Sequence, residues 1–159
     1  MILYVTDALM EDIKAHALTA YPEECCGVLI GDLPEDFGQS SAELRVTETR
    51  RLENAWENLN RTNKYAVAPE AIAAVEKEFA GKPRGILGFY HSHPDVPAWP
   101  SPYDLQRAWP SYAYLIAAVA GGKVTQRRVW LLSYDTRSFE EHKLKVVQDA
   151  CMTKIVDKR

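Results

Sequence analysis

The sequence predicts an α+β fold in which a mixed, largely antiparallel β-sheet is flanked by helices. Three observations predict it. Segments with helical spacing of apolar residues alternate with short strand-type runs. The strand-type runs crowd towards the C-terminus, two of them joined by a Gly-Gly turn. At 159 residues, with 47% hydrophobic and 26% charged, the chain has the size and composition of one soluble domain, residues 1–159. No internal repeat, low-complexity tract or linker divides it.

Residues 2–5 (ILYV) read as a strand. Asp7 offers an N-cap for a helix to Ala20, with Leu9, Ile13, Ala17 and Ala20 on one face. Tyr21-Pro22 stops it, because proline cannot continue the ladder. CCGVLIG (25–31) is a continuous apolar run of the kind buried on both faces. After an acidic turn at 32–40, residues 41–53 form a charged strand expected at a sheet edge. Residues 54–63 read as a loop, 65–67 as a short strand, and 69–80 as a helix opened by Pro69. Ile72, Val75 and Phe79 mark that helix's apolar face, with Glu76 on its margin. ILGFYHSH (86–93) is a strand ending in two histidines, and Ser101 starts another helix with an acid three residues later. Strands at 112–120, 124–134 and 139–147 complete the pattern.

Charge and composition exclude several function classes. Nineteen basic residues against 22 acidic ones give a net charge of −3, without the basic excess of a nucleic-acid binder. The longest uncharged apolar run, Tyr112 to Ala120, is far short of the roughly 20 residues of a membrane span. The N-terminus lacks the basic start of a secretory signal, so a cytoplasmic protein is expected. Three cysteines, two of them the neighbours Cys25 and Cys26, do not make a disulfide framework.

The densest chemical signal is HSHPDVPAWPSPYD, residues 91–104. Histidines at i and i+2 of an extended segment project to the same side and can converge on one ion. Asp104, on the first turn of the helix begun by Ser101, can fold back to add an oxygen. Two imidazoles and a carboxylate form a common zinc set that leaves the fourth position open for water. A surface His-x-His pair needs no metal, but Pro94, Pro97, Pro100 and Pro102 stiffen the return path and reduce the entropy of bringing the three together. Peptide hydrolysis at such a centre also needs a proton shuttle. Glu24 and its neighbour Glu23 are both candidates on composition alone.

Glu24-Cys25-Cys26-Gly27, then His91-Ser92-His93-Pro94, six residues, Ser101, two residues and Asp104, resembles the JAMM (MPN+) metalloprotease family. That family's pattern is a glutamate shortly before a Cys-Gly pair, then H-x-H-P, six residues and S-x-x-D. The likeness spans residues 1–135, and the residues beyond add nothing recognisable. It implies an MPN/JAMM-like sheet of cytidine-deaminase-like architecture, with one Zn2+ per chain held by His91, His93 and Asp104. It selects Glu24 over Glu23 as general acid/base, because the family's acid stands two residues before the cysteine of the Cys-Gly pair, here Cys26. Ser101 would hydrogen-bond the oxyanion. The chain is most similar to small free-standing prokaryotic members, which act after the C-terminal Gly-Gly of ubiquitin-like or sulfur-carrier proteins. Some remove the carrier from a lysine; others release cysteine from its end. The loop 54–63 corresponds to an insertion that guides the substrate tail, and Trp56 and Trp99 are candidate groove residues. The tail would add as a strand to an exposed edge, and a narrow site would favour glycine. The resemblance implies no nucleic-acid or membrane partner and leaves the oligomeric state open.

Rival readings are weaker. A non-catalytic MPN-type module binding a ubiquitin-like partner has no need of an open metal position. A thiol enzyme would pair Cys25 or Cys26 with a histidine, but the same histidines are better explained as ligands. His16 and His142 read as structural or surface residues, and a zinc deaminase's His-x-Glu and Pro-Cys-x-x-Cys are missing.

Overall fold

The computed structural model describes residues 1–57 and 61–156, the last four as backbone alone. The described elements run β1 (Ile2–Thr6), α1 (Asp7–Ala20), β2 (Cys26–Asp32), β3 (Glu43–Leu52), α2 (Pro69–Phe79), β4 (Arg84–Pro94), α3 (Pro102–Arg107), β5 (Ala113–Ala120), β6 (Lys123–Leu132), β7 (Phe139–Val147) and α4 (Asp149–Val156). The strands pair in the order β1-β3-β2-β4-β5-β6-β7, and β7 returns to β1, closing the sheet into a barrel. The junctions of β1 with β3, β1 with β7 and β4 with β5 are parallel; the other four are antiparallel. This is the mixed α+β architecture that the sequence predicts. No helix among the described residues is long and apolar enough to cross a membrane.

Both faces of the central strands are buried. One face carries Leu3, Val5, Leu29, Leu44 and Leu115 in a cluster with Met10, Ile13 and Ala17 of α1. The other carries Val28, Ile30, Ile116 and Trp130 with Ile72, Val75 and Phe79 of α2. Strands covered on both sides need apolar residues at successive positions, which is why β2 and β5 read as unbroken runs.

One irregularity in β4 positions everything downstream. Ile30 of β2 pairs with Ile86, while Leu29 pairs with Gly88, so Leu87 is an extra residue with no partner. Such a bulge flips the facing of the strand beyond it. Leu87 lies in the α1 cluster, yet Phe89, two residues on, lies in the α2 cluster, and Tyr90 returns to the first. His91 and His93 share the parity of Phe89. Gly88 fits where the chain crowds β5: a Cβ there would stand 2.1 Å from the Ala113 carbonyl oxygen.

Three expectations need correction. Thr6, not Asp7, caps α1, its hydroxyl accepting from the Leu9 N–H; Asp7 is the first helical residue, where its charge suits the helix dipole. β3 lies between β1 and β2 in the barrel order and not at its end, but each half pairs on one side alone, residues 43–45 with β1 and 46–52 with β2. Its charges instead form a surface lattice in which Arg50 meets Glu48 and Glu78, and Arg84 meets Glu48. Residues 65–67 are extended but join no strand of the barrel. Asn54 organises them locally, its side chain accepting from Ala66 N–H and donating to the Lys64 carbonyl. The tail, which carries no recognisable motif, contains α4 with Met152 buried. The expected loop 54–63 is described outside 58–60, which lie beyond the described residues.

The crowding at β4 and β5 sets a measurable difference between two glycines. Gly88→Ala should lower stability by about 1–3 kcal/mol through overpacking against fixed backbone. For a chain of this size that is a fall of roughly 2–12 °C in Tm by circular dichroism. Gly85→Ala, whose Cβ would meet only the flexible end of Leu33 at 3.2 Å, should fall far less. Equal losses would show that the bulge region can give way.

Candidate metal centre

The bulged strand and the proline-rich connection bring three ligand side chains together. His91 and His93 lie on the same face of β4, with their Nε2 atoms 3.1 Å apart. Asp104 enters from the first turn of α3, its Oδ1 3.4 Å from His91 Nε2 and its Oδ2 3.5 Å from His93 Nε2. All three are buried. The connection between them is pinned at several points. Asp95 N–H donates to the Val119 carbonyl at 2.7 Å, Ala98 N–H to Gln126, and the Trp130 indole to the Ala98 carbonyl at 3.1 Å.

Ser101 completes a capping box with Asp104. Its backbone N–H and its hydroxyl both donate to Asp104 Oδ2, at 2.6 and 2.7 Å, while its Oγ accepts from Asp104 N–H at 3.1 Å. Oδ2 is thereby held, and Oδ1 receives nothing from the cap. The Ser101 hydroxyl proton is committed to Asp104.

The chemistry of the donor set fits a divalent cation. His93 Nδ1 lies 2.9 Å from the Pro97 carbonyl, which can only accept. The ring proton therefore sits on Nδ1, and the Nε2 lone pair faces His91 and Asp104. Two ring nitrogens and a carboxylate, buried this closely, need positive charge between them. Donors of a tetrahedral zinc site with bonds of about 2.0–2.1 Å stand about 3.3 Å apart, close to the spacings here. Tyr65 stacks on His91, with ring centroids 4.5 Å apart, and fixes its plane. Burial lowers the His91 pKa. Burial also works against protonated His93, but Asp104 and the Pro97 carbonyl outweigh it and raise its pKa. Burial alone would raise the Asp104 pKa, yet both histidines and the Ser101 N–H hold it well below the carboxylate range.

Glu24 stands where the chain turns from α1 into β2. Its backbone is clamped by Glu24 N–H donating to the Arg61 carbonyl at 2.8 Å and by Asn54 Nδ2 donating to its own carbonyl at 3.0 Å. Its side chain is buried, whereas Glu23 is exposed. Burial pushes the Glu24 pKa up to about 8, His93 opposes the shift, and the Asp104 charge adds to it. A carboxyl group that holds a proton near neutral pH is suited to acid–base chemistry.

Cys25 and Cys26 are buried, and burial pushes their thiols up to about 11 and 12, the wrong direction for a nucleophile. Trp56 packs edge to face on Tyr103, and Trp99 packs on Trp130 with half its surface exposed. A cavity of about 480 Å3 opens beside Asp104, walled by Tyr65, Phe89, Tyr103 and Tyr114 with Arg107 among its lining; neither tryptophan lines it. His16 bonds the Tyr90 hydroxyl and His142 contacts the Met1 amine, both away from the centre. Sequence reasoning missed Tyr65 and the Pro97 carbonyl. Nothing in the spacing marks a backbone acceptor, and Tyr65 read as part of a strand.

Comparison with known proteins follows the same lines. The family described as prokaryotic homologues of the JAB domain matches residues 6–133. Desampylase of Haloferax volcanii is 31% identical over 116 residues, covering 72% of this chain and 76% of that protein. The "Probable TtuB-protein conjugate cleaving protease" of Thermus thermophilus is 29% identical over 121 residues, 76% of this chain and 73% of that one. The Lys-63-specific deubiquitinase BRCC36 of Mus musculus is 27% identical over 113 residues, and the match spans only 39% of its length. The solution structure of protein DSY2949 from Desulfitobacterium hafniense superposes with a TM-score of 0.73 at 28% identity, covering 96% of this chain and 98% of that one. A JAB1/MPN domain protein from Archaeoglobus fulgidus, at 20% identity and a TM-score of 0.52 over 93% of this chain and all of that one, shares the fold.

The burial of two of the three thiols can be read directly. Titration of the native protein with a thiol reagent should show one fast-reacting cysteine, the exposed Cys151. Cys151→Ser should abolish the fast phase, with the other two appearing only on unfolding. Fast reaction at Cys25 or Cys26 would reopen the thiol mechanism.

Proposed function

The chain belongs to the JAMM/MPN+ family of hydrolases, as a prokaryotic homologue of the JAB domain, and on that premise we propose that it is a zinc-dependent isopeptidase or peptidase. Its substrate is the bond after the C-terminal Gly-Gly of a ubiquitin-like or sulfur-carrier protein. The observation that carries this reading is the meeting of three buried ligand groups with a buried, proton-holding Glu24. The relatives' names, a desampylase, a conjugate-cleaving protease and a deubiquitinase, support the substrate class.

His91, His93 and Asp104 would hold one zinc per chain. Zinc there supplies a Lewis acid that polarises the scissile carbonyl and makes water acidic enough to react near neutral pH. Glu24, whose carboxylate form the positive charge of a bound zinc would favour, takes a proton from the attacking water as the new C–O bond forms. It returns that proton to the amine as the C–N bond breaks, so the carrier leaves as a carboxylate and the partner as an amine. Ser101 stabilises the oxyanion by turning its hydroxyl from Asp104 Oδ2 towards the substrate; the backbone N–H of Ser101 keeps Oδ2 in place meanwhile. The ligands lie below the surface, so the scissile backbone must descend to them. Glycine, without a Cβ, allows that approach. Of the two groove candidates, Trp99 offers an exposed face to the incoming tail, whereas Lys64 and Arg107 lie over the Trp56 ring. Three free cysteines accord with a reducing, cytoplasmic setting.

Metal analysis should find one zinc in the wild-type chain and almost none in a His91→Ala, His93→Ala double variant. Glu24→Gln should keep the zinc and lose about 100- to 10,000-fold in turnover. Ser101→Ala should lose on the order of 100-fold. Wild-type turnover by Glu24→Gln would remove Glu24 from the mechanism.

The substrate class is tested by comparing a folded carrier ending in Gly-Gly, the same carrier with its penultimate glycine changed to alanine, and casein. The Gly-Gly carrier should be cut fastest, the alanine carrier should lose rate more than binding, and casein should resist. Casein cut as fast as the Gly-Gly carrier would identify a general protease instead.

A further inference from the structure

Beside the metal centre stands a group of side chains that offer hydrogen bonds and have no acceptor. Trp56 meets Tyr103 edge to face, with ring centroids 5.3 Å apart. Among the described residues the Trp56 Nε1 and the Tyr103 hydroxyl are both buried without a hydrogen-bond partner. Two cations cover the pair. The Arg107 guanidinium lies 4.8 Å from the Tyr103 ring centre and 5.6 Å from that of Trp56. The Lys64 ammonium lies 5.7 and 5.3 Å from the same two centres. Among the described residues neither cation has a carboxylate within ion-pair distance. Arg45, Arg50, Arg84 and Arg128 are paired with acids, while Arg51 and Arg61 donate to backbone carbonyls. What sets Arg107 apart is its place over the Tyr103 ring and in the cavity wall. Folded proteins rarely leave buried donors without acceptors, because desolvation is then uncompensated.

We propose that Trp56, Lys64, Tyr103 and Arg107 form a subsite for a substrate carboxylate next to the scissile bond. The inference rests on the peptidase reading and adds a selectivity to it. Tyr103 precedes Asp104 in the chain, and both line the 480 Å3 cavity together with Arg107. A residue seated there has its backbone beside Asp104 and its carboxylate near Arg107 and Tyr103, with Trp56 and Lys64 packed behind that wall. The guanidinium fork matches the two oxygens of a carboxylate, and the indole and phenol add single donors. The aromatic wall of Phe89 and Tyr114 accommodates an aliphatic stem. Two sources carry this chemistry, an acidic side chain flanking the cleaved bond and the terminal carboxylate of a leaving amino acid.

Binding can be followed without turnover. Four tryptophans give four indole N–H signals in a nitrogen-15 correlation spectrum, and Trp56→Phe assigns one of them. Acetyl-Gly-Gly-Ala with a free carboxylate, its carboxamide, and the carboxamide of acetyl-Gly-Gly-Asp would be titrated into the zinc-loaded Glu24→Gln protein. At least one acidic probe should move the Trp56 signal and bind about tenfold or more tighter than the neutral probe, as expected for charge-assisted hydrogen bonds. Preference for the free terminus identifies a leaving amino acid; preference for aspartate identifies an acidic flank. A Lys64→Gln, Arg107→Gln double variant with wild-type melting should lose the preference, and Arg107→Lys, which keeps the charge without the fork, should lose part of it. Equal binding of all three probes, or a preference that survives both variants, overturns the subsite and leaves the peptidase reading intact. Failure of every Gly-Gly carrier to be cut sinks that reading, while the Trp56 signal still decides the subsite.

Discussion

Leu87, the unpaired residue of β4, is the constraint on which the site depends. Side chains of a strand alternate between faces, so one inserted residue exchanges the two faces for everything that follows. Without it, the odd-numbered residues of β4 would continue on the face of Leu87, against α1, and the histidines would enter the larger apolar cluster. With it, His91 and His93 emerge on the side of α2 and α3, where Asp104 can reach them. The bulge survives because neighbours hold it from both sides. Gly88 lets β5 approach, and Gly27 leaves room for the Tyr90 ring, which a Cβ would meet at 2.3 Å. The other anchor lies one strand away, where Ser92 and Cys25 exchange two hydrogen bonds, Ser92 N–H to the Cys25 carbonyl and Cys25 N–H to Ser92 Oγ. That exchange fixes the end of β2, and with it Glu24, against the histidine strand.

Burying three ligand groups and an acid in one place is costly unless each is held and satisfied. The protein meets this cost with short-range geometry. The capping box holds Asp104, the Pro97 carbonyl fixes the His93 tautomer, and Tyr65 sets the plane of His91. Glu24 has no such support for its carboxylate among the described residues, and burial raises its proton affinity. Asp104 and Glu24 are therefore the same functional group driven in opposite directions. The two histidines and the Ser101 cap pull one pKa down; burial pushes the other up. That divergence is what the proposed mechanism requires, one carboxylate to bind a cation and the other to move protons.

The Trp56–Tyr103 pair extends this pattern outward. It links the 53–57 segment to α3 and is covered by Lys64 and Arg107. Cation–ring contact accounts for some of the attraction. It leaves the Trp56 N–H and the Tyr103 hydroxyl without partners, and an acceptor from outside the chain would complete them.

Much of this protein was legible in its residues alone. The periods of α1 and α2, the apolar runs of β2 and β5, and the Ser101–Asp104 box are local patterns, each dictated by a few neighbouring side chains. The His-x-His spacing is local too, which is why the candidate ligand set is visible in the sequence before any contact. Other features depend on residues far apart in the chain. β3 carries the charges of an edge strand, yet barrel closure gives its first residues β1 as a partner and the rest β2. Tyr65 finds His91 only when the 64–67 segment folds back over β4, and α4 forms on β1 from a tail without a clear signal. Composition left Glu23 and Glu24 as equals, and the family pattern chose between them; in the fold, one is buried and the other exposed because the chain turns into β2 at that point. The residue types and spacing of the site were thus set by the sequence itself. Which face they occupy was decided by the tertiary structure, since the register between β2 and β4 is a property of two strands and cannot be read from either one.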